Sequence, residues 1–182
     1  MMLLLLPILS GCSRLIYYGM PLELVYYEGD YHGKVIDAET LQPIESAVVL
    51  GVWYKEYATV GGPVGKYYDA RETVTDKNGD FTIEGMGIRF VTHLQKTYIV
   101  FFKAGYDKIG PTPWETLKTS TYLRDRMKWD GEKAIIALKK LPLKERLRRL
   151  LPNIDSEIPS YKQKMMRKEI EKELLDRGKL KK

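Results

Sequence analysis

One cysteine, Cys12, is the entire thiol content of this chain of 182 residues, so no disulfide can form within it. Histidine is nearly as scarce: His32 and His93 lie in separate segments, whereas a zinc site needs three or four ligands. No G-x-S-x-G motif marks a serine nucleophile. We therefore expect no enzymatic activity, no metal and no cofactor, and a fold that depends on packing. A Ser-His-Asp arrangement stays open, because its members meet only in space.

The sequence also has no apolar run long enough for a helical membrane span. The apolar stretch from Met1 to Ile8 has about half of the ~20 residues that such a span needs, and Pro7 would break a buried helix. No basic residue precedes Arg14, although an ordinary secretory signal begins with positive charge. The N-terminus therefore matches neither a core helix nor a transmembrane helix, and it departs from an ordinary secretory signal in having no basic start.

Four residues, Leu9, Ser10, Gly11 and Cys12, complete this apolar stretch. They resemble the lipobox of bacterial lipoproteins, in which an apolar residue, two small residues and a cysteine are recognised by a peptidase after the thiol has been diacylated. The resemblance implies a signal peptide at residues 1–11 and a lipid such as palmitate on Cys12. Two or more acyl chains anchor a protein stably to a membrane. A secreted protein without lipid is the alternative.

The lipoprotein resemblance also predicts where the protein resides. Ser13, rather than Asp, follows the cysteine, which implies the outer membrane, facing the periplasm, if the source is Gram-negative. Residues 12–29 would then be the lipidated tether. This tether is too apolar for a solvated linker, so we expect part of it to pack on the following domain or to lie against the membrane.

The middle of the chain, from Gly33 to Leu141, has short runs rich in Val, Ile, Tyr and Phe, separated by Gly, Pro, Asp and Asn. This spacing favours an all-β sandwich. Asn78-Gly79 between two such runs predicts a hairpin with a type I′ turn. The predicted strands are Asp30–Asp37, Ala47–Tyr57, Arg71–Asp76, Asp80–Glu84, Tyr98–Ala104, Tyr106–Ile109 and Lys133–Leu138.

Four motifs follow one another in this region: G-x-V-x-D at Gly33–Asp37, P-I-x-x-A-x-V at Pro43–Val49, T-D-x-x-G-x-F at Thr75–Phe81 and x-K-x-G-Y at Phe102–Tyr106. In kind and order they resemble the carboxypeptidase regulatory-like domain. The resemblance implies a seven-stranded transthyretin-like (prealbumin-like) β-sandwich over residues 30–141. Alternate strand positions would then supply its core: Val35, Ala47, Val49, Phe81, Ile83, Ile99 and Phe101.

Two segments, 58–70 and 110–131, depart from the family pattern. The second contains Trp114, Tyr122 and Trp129, which we take as a candidate ligand surface. Paired tyrosines such as Tyr67 and Tyr68 could stack on a glycan, but strand neighbours face opposite sides, so packing in the core or at an edge is favoured.

A third candidate, Asp76-Lys77-Asn78-Gly79-Asp80, superficially resembles the start of a calcium loop. It lacks the glycine and glutamate that an EF-hand loop requires at later positions, so we favour a plain turn.

The tail, residues 142–182, carries most of the positive charge: residues 139–182 have 15 basic and 7 acidic residues in a chain of net charge +6. The periodicity predicts a short amphipathic helix with Leu143, Leu147, Leu150 and Leu151 on one side. A second predicted helix, about Pro159–Arg177, has Tyr161, Met165, Met166, Ile170 and Leu174 on its apolar side and Glu169, Glu171 and Glu173 on a solvated face. The tail could pack on the sandwich, bind anionic lipid or dock a protein partner.

These observations favour a non-enzymatic, membrane-anchored lipoprotein that acts as an accessory or interaction module of the bacterial cell envelope. Its partner would be an envelope protein or a glycan, and export argues against nucleic acid. The alternative is a carbohydrate-binding helper or non-catalytic subunit of an envelope hydrolase.

Overall fold

The computed structural model describes residues 14–17, 20–23, 25–90, 97–153 and 156–178. The protein is mostly β, with a helical C-terminal part. The lipobox, Cys12 and His93 lie outside the described residues. Within the described ranges, no helix combines the length and the hydropathy that crossing a membrane requires.

The strands, in chain order, are β1 (Arg14–Tyr17), β2 (Met20–Glu23), β3 (Val25–Glu28), β4 (Tyr31–Asp37), β5 (Val48–Thr59), β6 (Gly62–Val74), β7 (Asp80–Ile83), β8 (Gly87–Phe90), β9 (Tyr98–Phe102), β10 (Ile109–Pro113), β11 (Met127–Asp130) and β12 (Lys133–Leu138). The helices are α1 (Trp114–Leu117), α2 (Leu143–Arg146) and α3 (Lys164–Gly178), with a 3-10 helix, Ser160–Gln163, directly before α3.

Two four-stranded sheets form a sandwich-like body. Sheet I has the strand order β11-β12-β4-β7, and sheet II has the order β10-β9-β5-β6. Strands β12 and β4 are parallel, and the other neighbours are antiparallel. These sheets hold eight strands rather than the predicted seven, because β11 forms inside segment 110–131, for which we predicted no strand. Strands β1 with β2, and β3 with β8, form two further small sheets.

The space between the two sheets is filled by side chains from alternate strand positions, as predicted. All seven predicted core residues are buried in this one cluster: Val35, Ala47, Val49, Phe81, Ile83, Ile99 and Phe101. Trp53, which is also fully buried there, is a further large contributor. Because full burial of one such side chain contributes about 1.5–3 kcal/mol, the inter-sheet cluster is the main source of stability.

The segment between β6 and β7 is a corner, not the predicted hairpin. It carries the chain from sheet II to sheet I, and β6 and β7 are not paired. Asp76 Oδ1 accepts the backbone N–H groups of Asn78 and Asp80 at 2.8 and 2.9 Å. Of the two central residues only Gly79 has positive φ, +75°, so the turn is not type I′. A Cβ on Gly79 would lie 2.4 Å from the carbonyl oxygen of Val35, so this turn requires glycine.

Two other strand predictions need correction. The glycine-rich segment 58–70 belongs mostly to β6, which pairs with β5 along its whole length as a long two-stranded ribbon. The predicted strand Tyr106–Ile109 is displaced, because β10 begins only at Ile109. Tyr106 instead forms an isolated bridge with Lys140 and packs against the inter-sheet cluster.

The C-terminal tail covers the outer face of sheet II. Ile158, Met166 and Ile170 pack there on side chains of β5, β6 and β9, which are Val48, Leu50, Val52, Ala70, Val100 and Phe102. Of the three roles that the sequence left open for the tail, packing on the sandwich is therefore present in the structure.

The predicted apolar faces of the tail helices are nevertheless partly wrong. In the first, Leu150 is 84% exposed whereas Arg146 is only 9% exposed. In the second, Glu169 and Glu173 are buried although we expected them on a solvated face, and Leu174 is exposed. Buried carboxylates need specific partners, which the structure supplies.

Candidate functional site

The aromatic residues singled out in the sequence do not form one surface. The Trp114 ring lies edge-to-face with those of Tyr31 and Trp129, with centroids 5.0 and 5.4 Å apart. Both tryptophans are half-buried and pack against the inter-sheet cluster, and the Lys118 ammonium lies 4.5 Å from the Trp129 ring centroid. Tyr122, in contrast, is 91% exposed. The two tryptophans thus close one part of the core, and Tyr122 belongs to a different feature.

That feature is a cleft of about 510 Å³ beside β10, which we call the arginine cleft. It is bounded by β10, by the loop that carries Tyr122, and by α2 with the residues that follow it. Its volume is within the range of small-molecule sites in proteins. Apolar side chains that are buried contribute to its lining: Phe102, Ile109, Leu123 and Leu141.

Charge in the arginine cleft is unbalanced. Six cationic residues and one carboxylate line it, namely Lys108, Arg126, Arg146, Arg148, Arg149, Arg177 and Asp107. A concave surface lined by one sign of charge, with low-dielectric walls, concentrates the electrostatic field. The cleft is therefore suited to an anion.

Three of these cations are held by carboxylates of the protein. Arg126 makes a bidentate pair with Asp107, with N–O distances of 2.5 and 2.8 Å, and also donates to the carbonyl of Ala137. Arg146 donates to Glu173 Oε2 at 2.5 Å, and Arg177 donates to Glu173 Oε1 at 2.8 Å. Bidentate and doubly held guanidinium groups have fixed orientations, so these pairs make the walls of the cleft rigid.

The other three cations have no carboxylate partner among the described residues. Lys108 is half-buried and donates to the carbonyl oxygen of Leu151 at 2.9 Å. Burial lowers the pKa of Lys108, because the charged ammonium loses part of its hydration. The side chains of Arg148 and Arg149 are exposed at the rim and make no ion pair within the ranges that the structure describes. These groups are available to a ligand.

The wall that α3 contributes explains the buried glutamates. Glu169 and Glu173 accept the backbone N–H groups of Ala104 and Gly105 at 3.0 and 2.9 Å. Burial lowers the pKa of Lys103, and the attraction of Glu169, 3.9 Å away, opposes that shift. The two glutamates thus bind α3 to the loop after β9 and hold the arginines of the cleft in place.

The N-terminus of α3 is fixed by another carboxylate. Glu72 on β6 accepts the backbone N–H groups of Met165 and Met166 at 2.8 and 2.7 Å. These are groups that have no partner within a helix, and a carboxylate there also interacts favourably with the helix dipole. Burial raises the pKa of Glu72, although both hydrogen bonds act in the opposite direction.

A further buried carboxylate lies where the predicted tether meets the sandwich. Glu28, at the end of β3, accepts hydrogen bonds from Trp53 Nε1 at 2.8 and 2.9 Å, from the Thr97 hydroxyl at 2.6 Å and from the Tyr31 hydroxyl. The backbone N–H of Met86 also donates to it. This end of the segment 12–29 is therefore packed on the sandwich, as one of the two sequence alternatives proposed.

The remaining sequence candidates offer little chemistry. The Asp76 carboxylate is used within its own turn, and His32 is exposed, with Nδ1 3.0 Å from the Thr82 hydroxyl. Among the described residues, no three His, Cys, Asp or Glu side chains gather in a way that could hold a metal ion. Tyr67 and Tyr68 pack on opposite faces of sheet II, as the strand periodicity predicted.

No family model and no curated protein matches the chain. Among solved structures, a streptococcal ancillary pilin aligns with a TM-score of 0.32 and 15% sequence identity, over 67% of this chain. The alignment spans 31% of the pilin chain. A superposition at this level carries no inference about function.

Sequence reasoning missed the arginine cleft as a site. The positive charge of the tail was visible, but its leucine spacing directed attention to an apolar face. Some of the cleft arginines are held by carboxylates that lie far away in sequence: Asp107 pairs with Arg126, and Glu173 pairs with Arg146. The sequence alone does not show these pairs. Only the concentration of Arg146, Arg148 and Arg149 within one short helical segment could have indicated the cleft.

Proposed function

We propose that the protein is a non-enzymatic, lipid-anchored binding module of the bacterial cell envelope, built on a carboxypeptidase regulatory-like sandwich of the transthyretin type. Support for the sandwich comes from the four ordered motifs and from the burial of all seven core residues that strand alternation predicted. Support for the anchor comes from the lipobox-like residues Leu9 to Cys12. In this proposal the outer membrane, on its periplasmic side, is the location in a Gram-negative source.

The arginine cleft is the ligand site of this module. The observation that carries this assignment is a concave surface with six cations against one carboxylate, of which three cations have no acidic partner among the described residues. Arg148 and Arg149 are exposed at the rim, where a ligand can reach them, and Lys108 is half-buried without an acidic partner among the described residues, which costs hydration free energy that a bound anion would offset.

Site-specific photo-cross-linking in intact cells tests the binding role. A benzophenone amino acid replaces Tyr122, at the cleft, or Tyr161, which is 73% exposed on the tail and does not line the cleft. We expect a discrete cross-linked product from position 122 and none of the same size from position 161. Equal labelling from both positions, or none from position 122, contradicts the assignment.

Membrane anchoring is tested separately. Cys12→Ser removes the thiol that the lipid would occupy, so we expect the protein to move from the membrane fraction to the soluble fraction and to lose labelling by a palmitate analogue. Retention in the membrane fraction would refute the anchor without bearing on the cleft.

A second function, a carbohydrate-binding helper of an envelope hydrolase, is favoured by one observation. The Tyr122 ring is 91% exposed at the cleft, where it could stack on a sugar. A glycan array would then show selective binding to neutral sugars that Tyr122→Ala abolishes. Trp114→Phe serves as the comparison, because Trp114 packs against Tyr31 and Trp129 rather than lining the cleft.

A further inference from the structure

The charge in the arginine cleft distinguishes it from another large hollow among the described residues. A hollow of about 780 Å³ lies between the outer face of sheet II and the tail, and its described lining contains no charged residue. The arginine cleft is smaller, about 510 Å³, yet it contains six cations. The cations are therefore concentrated in the arginine cleft, although it is the smaller of these two hollows.

The cations in the cleft fall into a supporting set and an available set. Arg126, Arg146 and Arg177 are fixed by carboxylates, whereas Lys108, Arg148 and Arg149 have none among the residues described. A ligand in the cleft would therefore meet Lys108, Arg148 and Arg149, whereas the arginines bound to carboxylates shape its walls.

The chemistry of the available groups favours phosphate over carboxylate. Guanidinium groups match phosphate oxygens in planar, paired geometry, and a lysine ammonium adds a point charge. A phosphate monoester is close to doubly charged at neutral pH, so it offsets more of the excess positive charge than a single carboxylate can.

The rest of the cleft is suited to an uncharged group beside that anion. Phe102, Ile109 and Leu123 form an apolar part of the lining, and the exposed ring of Tyr122 lies at the same cleft. Ligand sites commonly combine an apolar lining with a few polar groups that fix orientation.

We infer that the arginine cleft binds a phosphate-bearing ligand, with Lys108, Arg148 and Arg149 contacting the phosphate and Tyr122 covering the uncharged part. This inference rests on the proposed function, in which the same cleft is the ligand site. A sugar phosphate and phosphatidic acid both present a phosphate monoester, so they share this chemistry.

Isothermal titration calorimetry on the full chain carrying Cys12→Ser tests the inference. Glucose 1-phosphate is the probe, and glucose and glucuronate are the comparisons. We expect binding of glucose 1-phosphate that weakens as salt is added, weaker binding of glucuronate and none of glucose. Equal affinity for glucose and glucose 1-phosphate, or no binding of the phosphate, overturns the inference.

Charge-matched variants locate the site. Arg148→Gln with Arg149→Gln removes two cleft cations, and Arg167→Gln with Lys168→Gln removes two exposed cations of α3 that do not line the cleft. We expect about tenfold weaker binding of glucose 1-phosphate or more in the first pair, which corresponds to at least 1.4 kcal/mol, and little change in the second. Lys108→Gln, which keeps a donor for the Leu151 carbonyl, should also weaken binding. Equal affinity in the two double variants places the phosphate elsewhere and overturns the inference.

Vesicles separate the two sources of phosphate. Binding to phosphatidic acid–phosphatidylcholine vesicles that the Arg148 and Arg149 changes abolish identifies a lipid headgroup. Binding of glucose 1-phosphate without vesicle binding identifies a soluble or polymeric phosphate, and both results uphold the inference. If position 122 cross-links a partner in cells and no phosphate binds, the inference fails while the proposed function stands.

Discussion

The inner face of sheet II packs on sheet I through apolar side chains, whereas its outer face is covered by the tail through a mixture of apolar contacts and buried charged groups. Neighbouring residues of one strand, such as Phe101 and Phe102, point to the two different environments. The inner face is thus covered by apolar packing alone. On the outer face, carboxylates also fix the position of the tail that covers it.

The polar contacts of the outer side have a positional role. Glu72 holds the start of α3, and Glu169 and Glu173 hold its middle to the loop after β9. Apolar packing alone tolerates sliding, because it is not directional. Three carboxylates with fixed donors allow one position of the helix, and that position brings Arg177 to the cleft and places Glu173 against Arg146 of α2.

The largest effect that we predict compares the two faces directly. Phe101→Ala leaves a cavity in the closed inter-sheet cluster and should lower the free energy of unfolding by about 4 kcal/mol. Phe102→Ala should cost less, about 2–3 kcal/mol, because Phe102 also lines the open arginine cleft and water can reach the site. Urea denaturation of both variants measures the difference. A larger loss in Phe102→Ala would reverse our ranking of the two faces.

The second prediction concerns the charged contacts of the outer side. Glu173→Gln leaves Arg146 and Arg177 without their shared carboxylate and should destabilise the protein by about 3 kcal/mol, because a buried charge loses its partner. Glu171→Gln, on an exposed side of the same helix, should change stability by less than about 0.5 kcal/mol. Equal effects of the two changes would mean that the tail is held by its apolar contacts alone.

The same contrast explains what could be predicted from the sequence. Val35, Phe81 and Ile99 belong to strands in which inward positions alternate, and alternation is a local property that a single chain reveals. The outer cover was predicted as apolar stripes on two helices, but Arg146 and Glu173 occupy buried positions there. Their burial depends on each other, and no local pattern shows which distant charges will meet.

The corner at Gly79 could be predicted in part: the sequence indicated the turn but not the strands that it connects. A turn with positive φ at Gly79 followed from the residue types, and the structure has it. Asn-Gly between two apolar runs nevertheless predicted a hairpin, whereas the chain passes there from one sheet to the other. Strand pairing is set by the whole sandwich, so a short turn motif could specify the bend but not the partners.

The third prediction tests that corner, on which the facing of the two sheets depends. Gly79→Ala combines left-handed strain with a Cβ 2.4 Å from the Val35 carbonyl oxygen, so we expect a loss of about 2–3 kcal/mol. Gly87 also has positive φ, +67°, but nothing lies within 4 Å of its added Cβ. Gly87→Ala should therefore show the strain alone, about 1–2 kcal/mol, in thermal or urea unfolding. Indistinguishable losses would show that the contact with Val35 relaxes freely.

The smallest effect is a pH dependence of opposite sign in two carboxyl groups, one in sheet I and one beneath the tail. Asp37, at the end of β4, accepts the N–H groups of Glu39 and Thr40 at 2.9 and 3.0 Å, and the Thr40 bond chiefly lowers its pKa. Glu72, beneath the tail, has a raised pKa because burial disfavours its charge. A lowered pKa in the folded state adds stability above the ordinary value of 3.8 that is lost as the pH falls through the lowered pKa. A raised pKa adds stability below the ordinary value of 4.5 that is lost as the pH rises through the raised pKa.

Urea unfolding of the wild type, Asp37→Asn and Glu72→Gln between about pH 3 and pH 7 resolves the two contributions, since each group titrates with its own slope. The stability advantage of the wild type over Asp37→Asn should grow as the pH rises from 3. Its advantage over Glu72→Gln should shrink over the same range, because the ionised Glu72 is the less favourable form beneath the tail. An advantage over Glu72→Gln that does not change with pH would show that Glu72 is as well hydrated beneath the tail as on an open surface.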